Sequence, residues 1–504
     1  MRSAPTFCIP MRMEAKAFRS TLVDPSAGQL VRTGVGPARS RRAAASATLA
    51  DASAIAVVGI AGGVDPALRA GDVVVADTVY DASGQGAPVR CDSAPLLAHR
   101  LRQLGLPVHV GGVVSTRRLA GDSTRRRLFE AGHLAVDMES AWLVAEGRPS
   151  AVVRVVADVA GERLLQPATL DRVRAALSTL KTVAPAVESW ARAVGPRTVL
   201  LAGPRSFCAG VERAIEVVER ALEQRGAPIY VRKQIVHNQH VVSELGNRGA
   251  VFVDELDDVP EGATVVFSAH GVSPAVWSEA SSRELDVIDA TCPLVTKVHS
   301  EVRRFAGRGD TIIFIGHAGH EETEGTMGER PDRTVLVEDI DDAHTVQVPD
   351  PDRVTYLVQT TLSSYEVEEI VAVLRGRFPA LRAPASDDIC YATTNRQDAL
   401  REVASDSDLV LVVGSQNSSN SQRLVETATR GGTPAYLVDD VGDVDLDWLA
   451  GVRRVGLTAG ASAPTTLVDE IITGLRGLGP VETHDRQHIT ENVRFTLPKE
   501  VRSA

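Results

Sequence analysis

The chain has 504 residues, 44% of them hydrophobic, which is more than one hydrophobic core usually organises, so at least two domains are expected. A net charge of −11 argues against a general nucleic-acid or phospholipid binder, and the basic clusters RSRR (39–42) and STRRR (123–127) read as solvated faces. No run is apolar enough to cross a bilayer, the N-terminus has no signal-peptide stretch, and five scattered cysteines suit a reducing compartment; a cytoplasmic protein without an integral membrane segment is expected.

In chain order, the first strands are AIAVVGI, DVVVAD, HVGGVV and AVVRVVAD, alternating with amphipathic segments in the pattern of a sheet covered by helices. A helical stretch from 170 then runs into GPR, and the new strand TVLLAG begins, so the sequence divides into domains at 1–194 and 195–504. Beyond the boundary, IYVR, TVVFSA, LDVIDA, TIIFIGH, VTYLVQT, LVLVVGS, AYLVD and VGLTAG continue the alternation, and the fold class of both parts is α/β. The polar end, HITENVRFTLPKEVRSA, is expected to lie over the second domain.

Three cysteines occupy matching places. Cys208 precedes AGVERAIEVVERAL, Cys292 precedes PLVTKVHSEVRRF and Cys390 precedes YATTNRQDALREVA, each where extended chain turns into a helix. They are spaced by about one small α/β unit each, which suggests three similar lobes offering one thiol apiece. A helix N-terminus favours an anion, so it is expected to lower a thiol's pKa or stabilise a negatively charged cluster. A lone cysteine is usually a small buried hydrophobe, the reading kept for Cys8 and Cys91. A structural zinc site would want four ligands and close CxxC pairs, which are absent. The other dense motif is IIFIGHAGHEETEGTMG (312–328), where an apolar strand empties into histidines and carboxylates. Such a set can bind a metal, move a proton or grip a phosphate.

From about 197 to 499 the sequence resembles the LytB-type 4-hydroxy-3-methylbut-2-enyl diphosphate (HMBPP) reductases, also called IspH. The resemblance is carried by GPRSFCAGVERAI, VRKQIVHNQHVV, VFSAHGVSP, DATCPLVTKVH, IGHAGHEETEGTMG, QTTLS, GSQNSSNSQRL and LTAGASAP, in family order. It implies a trefoil of three α/β lobes around a [4Fe–4S] cluster on Cys208, Cys292 and Cys390, and removal of the allylic hydroxyl of HMBPP with two electrons and two protons. An electron donor such as ferredoxin or flavodoxin is then implied. Glu322 takes the acid position, with His320 beside it, and Thr360 and Thr361 can hydrogen-bond the hydroxyl-bearing end. His237, His270, Ser418, Ser419, Asn420 and Ser462 are expected to bind the diphosphate substrate. Glu321 departs from the proline common in relatives; it, Glu324 and His317 read as solvated or structural. The rival for this part is a redox-sensing iron–sulfur binder, which would use the cysteines but not Glu322 or the polar loops.

From about 5 to 190 the sequence resembles the nucleoside phosphorylase and nucleosidase superfamily, particularly the 5′-methylthioadenosine/S-adenosylhomocysteine nucleosidases, in VVGIAGGVDPALRAGDVVVAD (57–77), TGVGPARSRRAA (33–44), VDMESAWLVA (136–145) and VVRVVADVAG (152–161). The resemblance implies a three-layer α/β domain that cleaves the N-glycosidic bond of a nucleoside substrate. Asp158 would handle the purine proton, Glu139 beside Met138 would bind the ribose hydroxyls, and Glu14 would activate water. The turn Ile60–Gly63 carries no basic side chain, which favours hydrolysis over phosphorolysis. Fusion to an isoprenoid-precursor enzyme suggests adenosylhopane as substrate. The alternatives are a phosphorylase and a non-catalytic nucleoside-binding module; retention of all three acids disfavours the latter.

Overall fold

The computed structural model describes residues 4–159 and 167–502, which form two compact units. The first comprises Met1–Val199 together with Asp440–Val455 and Asp469–Thr483; the second comprises Leu200–Asp439, Gly456–Val468 and His484–Ala504. The first unit thus draws on chain well beyond its own sequence block. Arg197 donates to the carbonyls of Ala193 and Leu449, and Arg100 pairs with Asp447 at 2.8 Å.

The first unit is built on an eight-stranded mixed sheet. Ile55–Gly63 pairs with His133–Asp137 and Ser150–Asp158, and Val108–Ser115 links His133–Asp137 to Val73–Asp81. Val73–Asp81 in turn pairs antiparallel with Ser150–Asp158, so these five strands close a ring. Strands covered on both faces need apolar residues on both. Accordingly Ile55, Ala56, Val57, Val58 and Val152, Val153 are all buried. The exception is Arg154, fully buried within that strand, a position that demands charged partners. The 27-residue helix Pro167–Ala193 packs on this sheet, where buried Trp190 donates Nε1–H to Ser93 Oγ at 2.9 Å.

The second unit carries separate sheets. Ala250–Val253, Ile229–Arg232, Thr264–Phe267 and Asp286–Asp289 form a four-stranded parallel sheet; Thr334–Val337, Thr311–Ile315 and Val354–Val358 form a three-stranded parallel one. A further five-stranded sheet is ordered Ala435–Val438, Leu409–Val413, Arg454–Ala459, Arg197–Gly203 and Val481–Gln487, and the first two of these strands lie wholly within the second unit. In LVLVV (409–413) every side chain is buried, each contributing roughly 1.5–3 kcal/mol relative to exposure. The polar C-terminal segment does pack on this unit. Val501 joins the core beside Ala214 and Val217, Arg213 donates to the Thr496 carbonyl, and Glu491 pairs with buried Arg396.

Candidate active sites

Cys208, Cys292 and Cys390 are the N-cap residues of helices Ala209–Arg225, Pro293–Gly307 and Tyr391–Ala404. All three line one cavity of about 110 Å³ in the second unit. Gly210 sits among them: a Cβ there would lie 2.8 Å from Cys292 Sγ and 3.8 Å from Cys208 Sγ. A helix residue with any side chain would therefore fill the space between two thiols. The sulfurs are not grouped for a single ion. Two thiolates on one zinc lie roughly 3.8 Å apart, given Zn–S bonds of about 2.3 Å. Among the described residues, however, the three sulfurs are not a set whose ligand atoms all meet within 4.8 Å. Three thiols spaced around a shared void, each at a helix N-terminus, suit a polynuclear anionic cluster better than one cation.

The expected lowering of the thiol pKa is not found. Burial, reinforced by the neighbouring thiols, pushes Cys292 up to about 12 and Cys390 up to about 11. Bare helix dipoles do not outweigh burial here; the metal of a bound cluster would be needed to hold the thiolates. Cys8 and Cys91 are buried in the other unit's core and do not line this cavity.

The strand Thr311–Ile315 delivers the histidine–glutamate motif to the same cavity. His320 caps helix Glu321–Glu329, its Nδ1 accepting from the Glu322 N–H at 3.2 Å. Glu322 is fully enclosed. Its Oε1 accepts from the Thr360 N–H at 2.7 Å and its Oε2 from the Thr360 hydroxyl at 2.8 Å. Burial raises its pKa above the ordinary carboxylate range although both Thr360 hydrogen bonds oppose the rise, so the carboxyl is disposed to carry a proton.

Three imidazoles meet beside it. His237 stacks on His270 with centroids 4.0 Å apart, and His320 stands edge-on to both at 5.4 and 5.9 Å. Burial and the neighbouring imidazoles drive His237 far down and His320 to about 3, so both are neutral. Because Nδ1 of His320 is an acceptor, its proton must sit on Nε2, which is buried and has no partner. His237 is arranged alike: Nδ1 faces the Asn417 amide at 3.4 Å and Nε2 is buried without a partner. Two unmatched N–H donors therefore line the cavity.

The polar loops complete it. Ser418 caps helix Ser419–Arg430, and Thr361 donates to Ser419 Oγ at 2.9 Å. Asn420 accepts from the Ala461 N–H at 3.0 Å, while Ser462 donates to the His237 carbonyl at 2.9 Å. Gln359, Thr393 and Glu321 were not singled out from the sequence as site residues. Gln359 holds Thr361 at 2.8 Å, and the Thr393 hydroxyl lies 3.1 Å from Cys390 Sγ and donates to the Thr360 carbonyl. Of the two roles expected of it, solvated or structural, Glu321 has the second: its carboxylate is 2.8 Å from His270 Nδ1, and although burial works against it, that contact brings its pKa below the usual range. His237, His270 and Glu321 bring ligand atoms within 4.8 Å of one another, so this corner could also hold a cation. His317 belongs to a different contact set, with Arg423 at 2.7 Å.

In the first unit, Glu14, Glu139, Met138 and Asp158 line a second cavity of about 180 Å³. Glu14 accepts from the N–H groups of Met11 (2.7 Å) and Ile60 (2.8 Å) and is buried, which raises its pKa despite those bonds and Arg154. Glu139 accepts from Gly36 N–H at 3.0 Å, an approach that uses Gly36's φ of +90°. Its pKa is also raised by burial, against the pull of Arg154. Arg154 bridges Asp137 at 2.6 Å and Glu139 at 3.6 Å.

Asp158 is ion-paired with Arg125. This corrects the reading of STRRR as a solvated face: Arg125, from helix Asp122–Glu130, is buried and also donates to the Gly63 carbonyl at 3.2 Å. Ile60–Gly63 is not the expected turn but the end of the strand Ile55–Gly63, and a cation does sit against it, committed to Asp158 and the backbone. Ala160 and Gly161, the end of the VVRVVADVAG motif, lie outside the described residues.

An α/β chain with three helix-capping thiols around a cavity that also holds a buried carboxyl of raised proton affinity has the makings of a metal-cluster enzyme. Residues 199–476 match the LytB protein family, and the chain belongs to that family. It is 57% identical to 4-hydroxy-3-methylbut-2-enyl diphosphate reductase 2 of Mycobacterium bovis over 64% of this chain and 98% of that protein. It is 58% identical to the 4-hydroxy-3-methylbut-2-enyl diphosphate reductase of Leifsonia xyli over 61% of this chain and 92% of that one. Among solved structures it is similar to the E-1-hydroxy-2-methyl-but-2-enyl-4-diphosphate reductase of Plasmodium falciparum, with 38% identity, a TM-score of 0.59, and coverage of 61% of this chain and 97% of that one. Residues 29–187 separately match the phosphorylase superfamily. No helix among the described residues is long and apolar enough to cross a membrane.

Proposed function

We propose that the 195–504 domain reductively dehydroxylates HMBPP to isopentenyl and dimethylallyl diphosphates, using a [4Fe–4S] cluster on Cys208, Cys292 and Cys390. The observation that carries this is the Glu322–Thr360 pair in the cavity lined by the three capping thiols. When bound, the cluster would supply two electrons from a donor such as ferredoxin or flavodoxin. The reaction also consumes two protons, one on the departing oxygen and one on the allylic carbon, and the residues of the chain bind the substrate and serve the first of them. Glu322 holds a proton beside the substrate's hydroxyl oxygen, so that it leaves as water, and Thr360 fixes the carboxyl's orientation. The Nε2–H groups of His237 and His320, with Ser418, Ser419, Asn420, Ser462 and His270, bind the diphosphate, whose oxygens satisfy the unmatched donors. Anaerobic protein given HMBPP and a one-electron reductant should yield both products; a cluster-loaded protein that binds HMBPP without turnover would support the redox-sensor reading instead.

For the 1–194 domain we infer hydrolysis of the N-glycosidic bond of a 5′-substituted adenosine. The convergence of Glu14, Glu139 and Asp158 on one cavity, within the residues that match the phosphorylase superfamily, supports this. Glu14, with a raised proton affinity, accepts a proton from water; Glu139 holds the ribose hydroxyls; Asp158, with Oδ2 engaged by Arg125, meets the purine. Phosphate-independent release of adenine from 5′-methylthioadenosine is the test, and strict dependence on phosphate would make the domain a phosphorylase. Adenosylhopane rests on the fusion alone, and the surroundings of this cavity favour a different substituent.

A further inference from the structure

The nucleoside cavity shares a wall with a wider one. Pro10, Met11 and Val35 line both; the second, of about 500 Å³, is otherwise lined by Arg12, Arg32, Thr33, Gly34 and Arg39. Neither Asp158 nor Arg125, at the purine end, belongs to it. With the base at Asp158, the second cavity adjoins the nucleoside site through Pro10, Met11 and Val35 and not through the residues read as holding the base, which leaves it open to a ribose 5′-substituent.

Its chemistry is cationic. Arg12 opens the helix Arg12–Arg19, Arg32 ends the strand Gln29–Arg32 and Arg39 lies in the helix Pro37–Ala44, so three elements bring guanidinium groups to one place. None of the three forms an ion pair among the described residues, in a chain whose net charge is −11. Lys16 and Arg19 extend the charge along the adjoining cleft, which Arg12 and Arg32 also line. Independently, the Thr33 side chain, 5% exposed, keeps its Oγ1 buried without a hydrogen-bond partner. A buried hydroxyl left unmatched beside unpaired guanidinium groups is suited to anionic oxygens, which would accept from all of them.

We propose that this cavity is a subsite for an anionic phosphoryl or carboxyl group on the 5′ side of the nucleoside, so that the first unit selects an anionic 5′-substituted adenosine over a neutral one. The proposal rests on the nucleoside reading above. Guanidinium groups match phosphoryl and carboxyl oxygens two at a time, and their attraction is screened by salt because all three arginines are exposed.

The test uses the full chain, with calorimetric titration of adenosine and of adenosine 5′-monophosphate. The monophosphate should bind about tenfold or more tightly at low salt, and the difference should shrink as salt rises. The double variant Arg32→Gln/Arg39→Gln should lose that preference. Equal affinities in the unaltered protein, or a preference indifferent to the substitutions, overturn the subsite while leaving the nucleoside reading intact. Binding of neither compound overturns both. A parallel arm measures adenine release from adenosine with and without inorganic phosphate. Acceleration by phosphate that the double variant abolishes would assign the cavity to free phosphate and overturn its assignment to a 5′-substituent.

Discussion

Replacing Glu322 by Gln isolates the proton from the shape. The amide keeps an acceptor for the Thr360 N–H, now 2.7 Å from Oε1, and the Thr360 hydroxyl, now donating at 2.8 Å, can rotate to accept from the new NH₂. Stability should therefore change by no more than about 1 kcal/mol at acid pH. Turnover of HMBPP should fall by roughly 10²-fold or more, or about 2.7 kcal/mol at 1.36 kcal/mol per decade. The variant also carries a pH signature. Glu322's folded pKa is raised, so between its unfolded and folded values the folded chain holds a proton that the unfolded chain has lost; stability falls as pH rises through that window. Glu322→Gln should remove that slope. The assay is anaerobic, reductant-driven HMBPP consumption, read beside iron content and denaturant midpoints at several pH values. Near-normal turnover with a full cluster would refute Glu322 as proton donor.

Gly210→Ala should lower the iron and sulfide content of anaerobically prepared protein, because its methyl would lie 2.8 Å from Cys292 Sγ; full cluster loading would refute the convergence of thiols around Gly210. Serine at Cys208, Cys292 or Cys390 should damage the cluster signal, whereas serine at Cys8 or Cys91 should leave it, both being buried in the other unit. Arg125→Ala breaks a largely buried ion pair with Asp158 and should lower the first unit's stability by about 3–5 kcal/mol, measured in denaturant; an unchanged midpoint would show the pair to be idle. Glu321→Gln removes the charge 2.8 Å from His270 Nδ1 and should raise the KM for HMBPP several-fold with kcat little changed, and a fall in kcat alone would place Glu321 in the chemistry instead.

The helix-capping cysteines could be found in the sequence because each stands at the same local event, the end of extended chain and the start of an amphipathic run. Local patterning also located the motif that holds Glu322, since it follows a buried strand, but the choice of Glu322 among its glutamates came from the family resemblance. The partners of these residues were not local. Arg125, on the helix Asp122–Glu130, reaches Asp158 only because His133–Asp137 and Ser150–Asp158 both pair with Ile55–Gly63, and nothing in STRRR distinguishes it from its exposed neighbours. Arg154 did leave a signal: an arginine inside AVVRVVAD, where a buried strand tolerates charge only with partners. Thr6–Ile9 and Gln29–Arg32, four residues each, were too short to show an alternation. Val481–Gln487 is polar after its first residue and pairs through its backbone at a sheet edge. The thiol pKa values erred for another reason: the helix-terminus argument weighed the dipole without the burial that opposes it.

The most direct test of the reductase assignment is product analysis of HMBPP incubated with the anaerobically purified full chain and a one-electron reductant, alongside Cys292→Ser. The unaltered chain should contain about four irons, as one [4Fe–4S] cluster requires, and release isopentenyl and dimethylallyl diphosphates, and the variant should form neither. A chain that loads its cluster and leaves HMBPP unchanged would contradict the account.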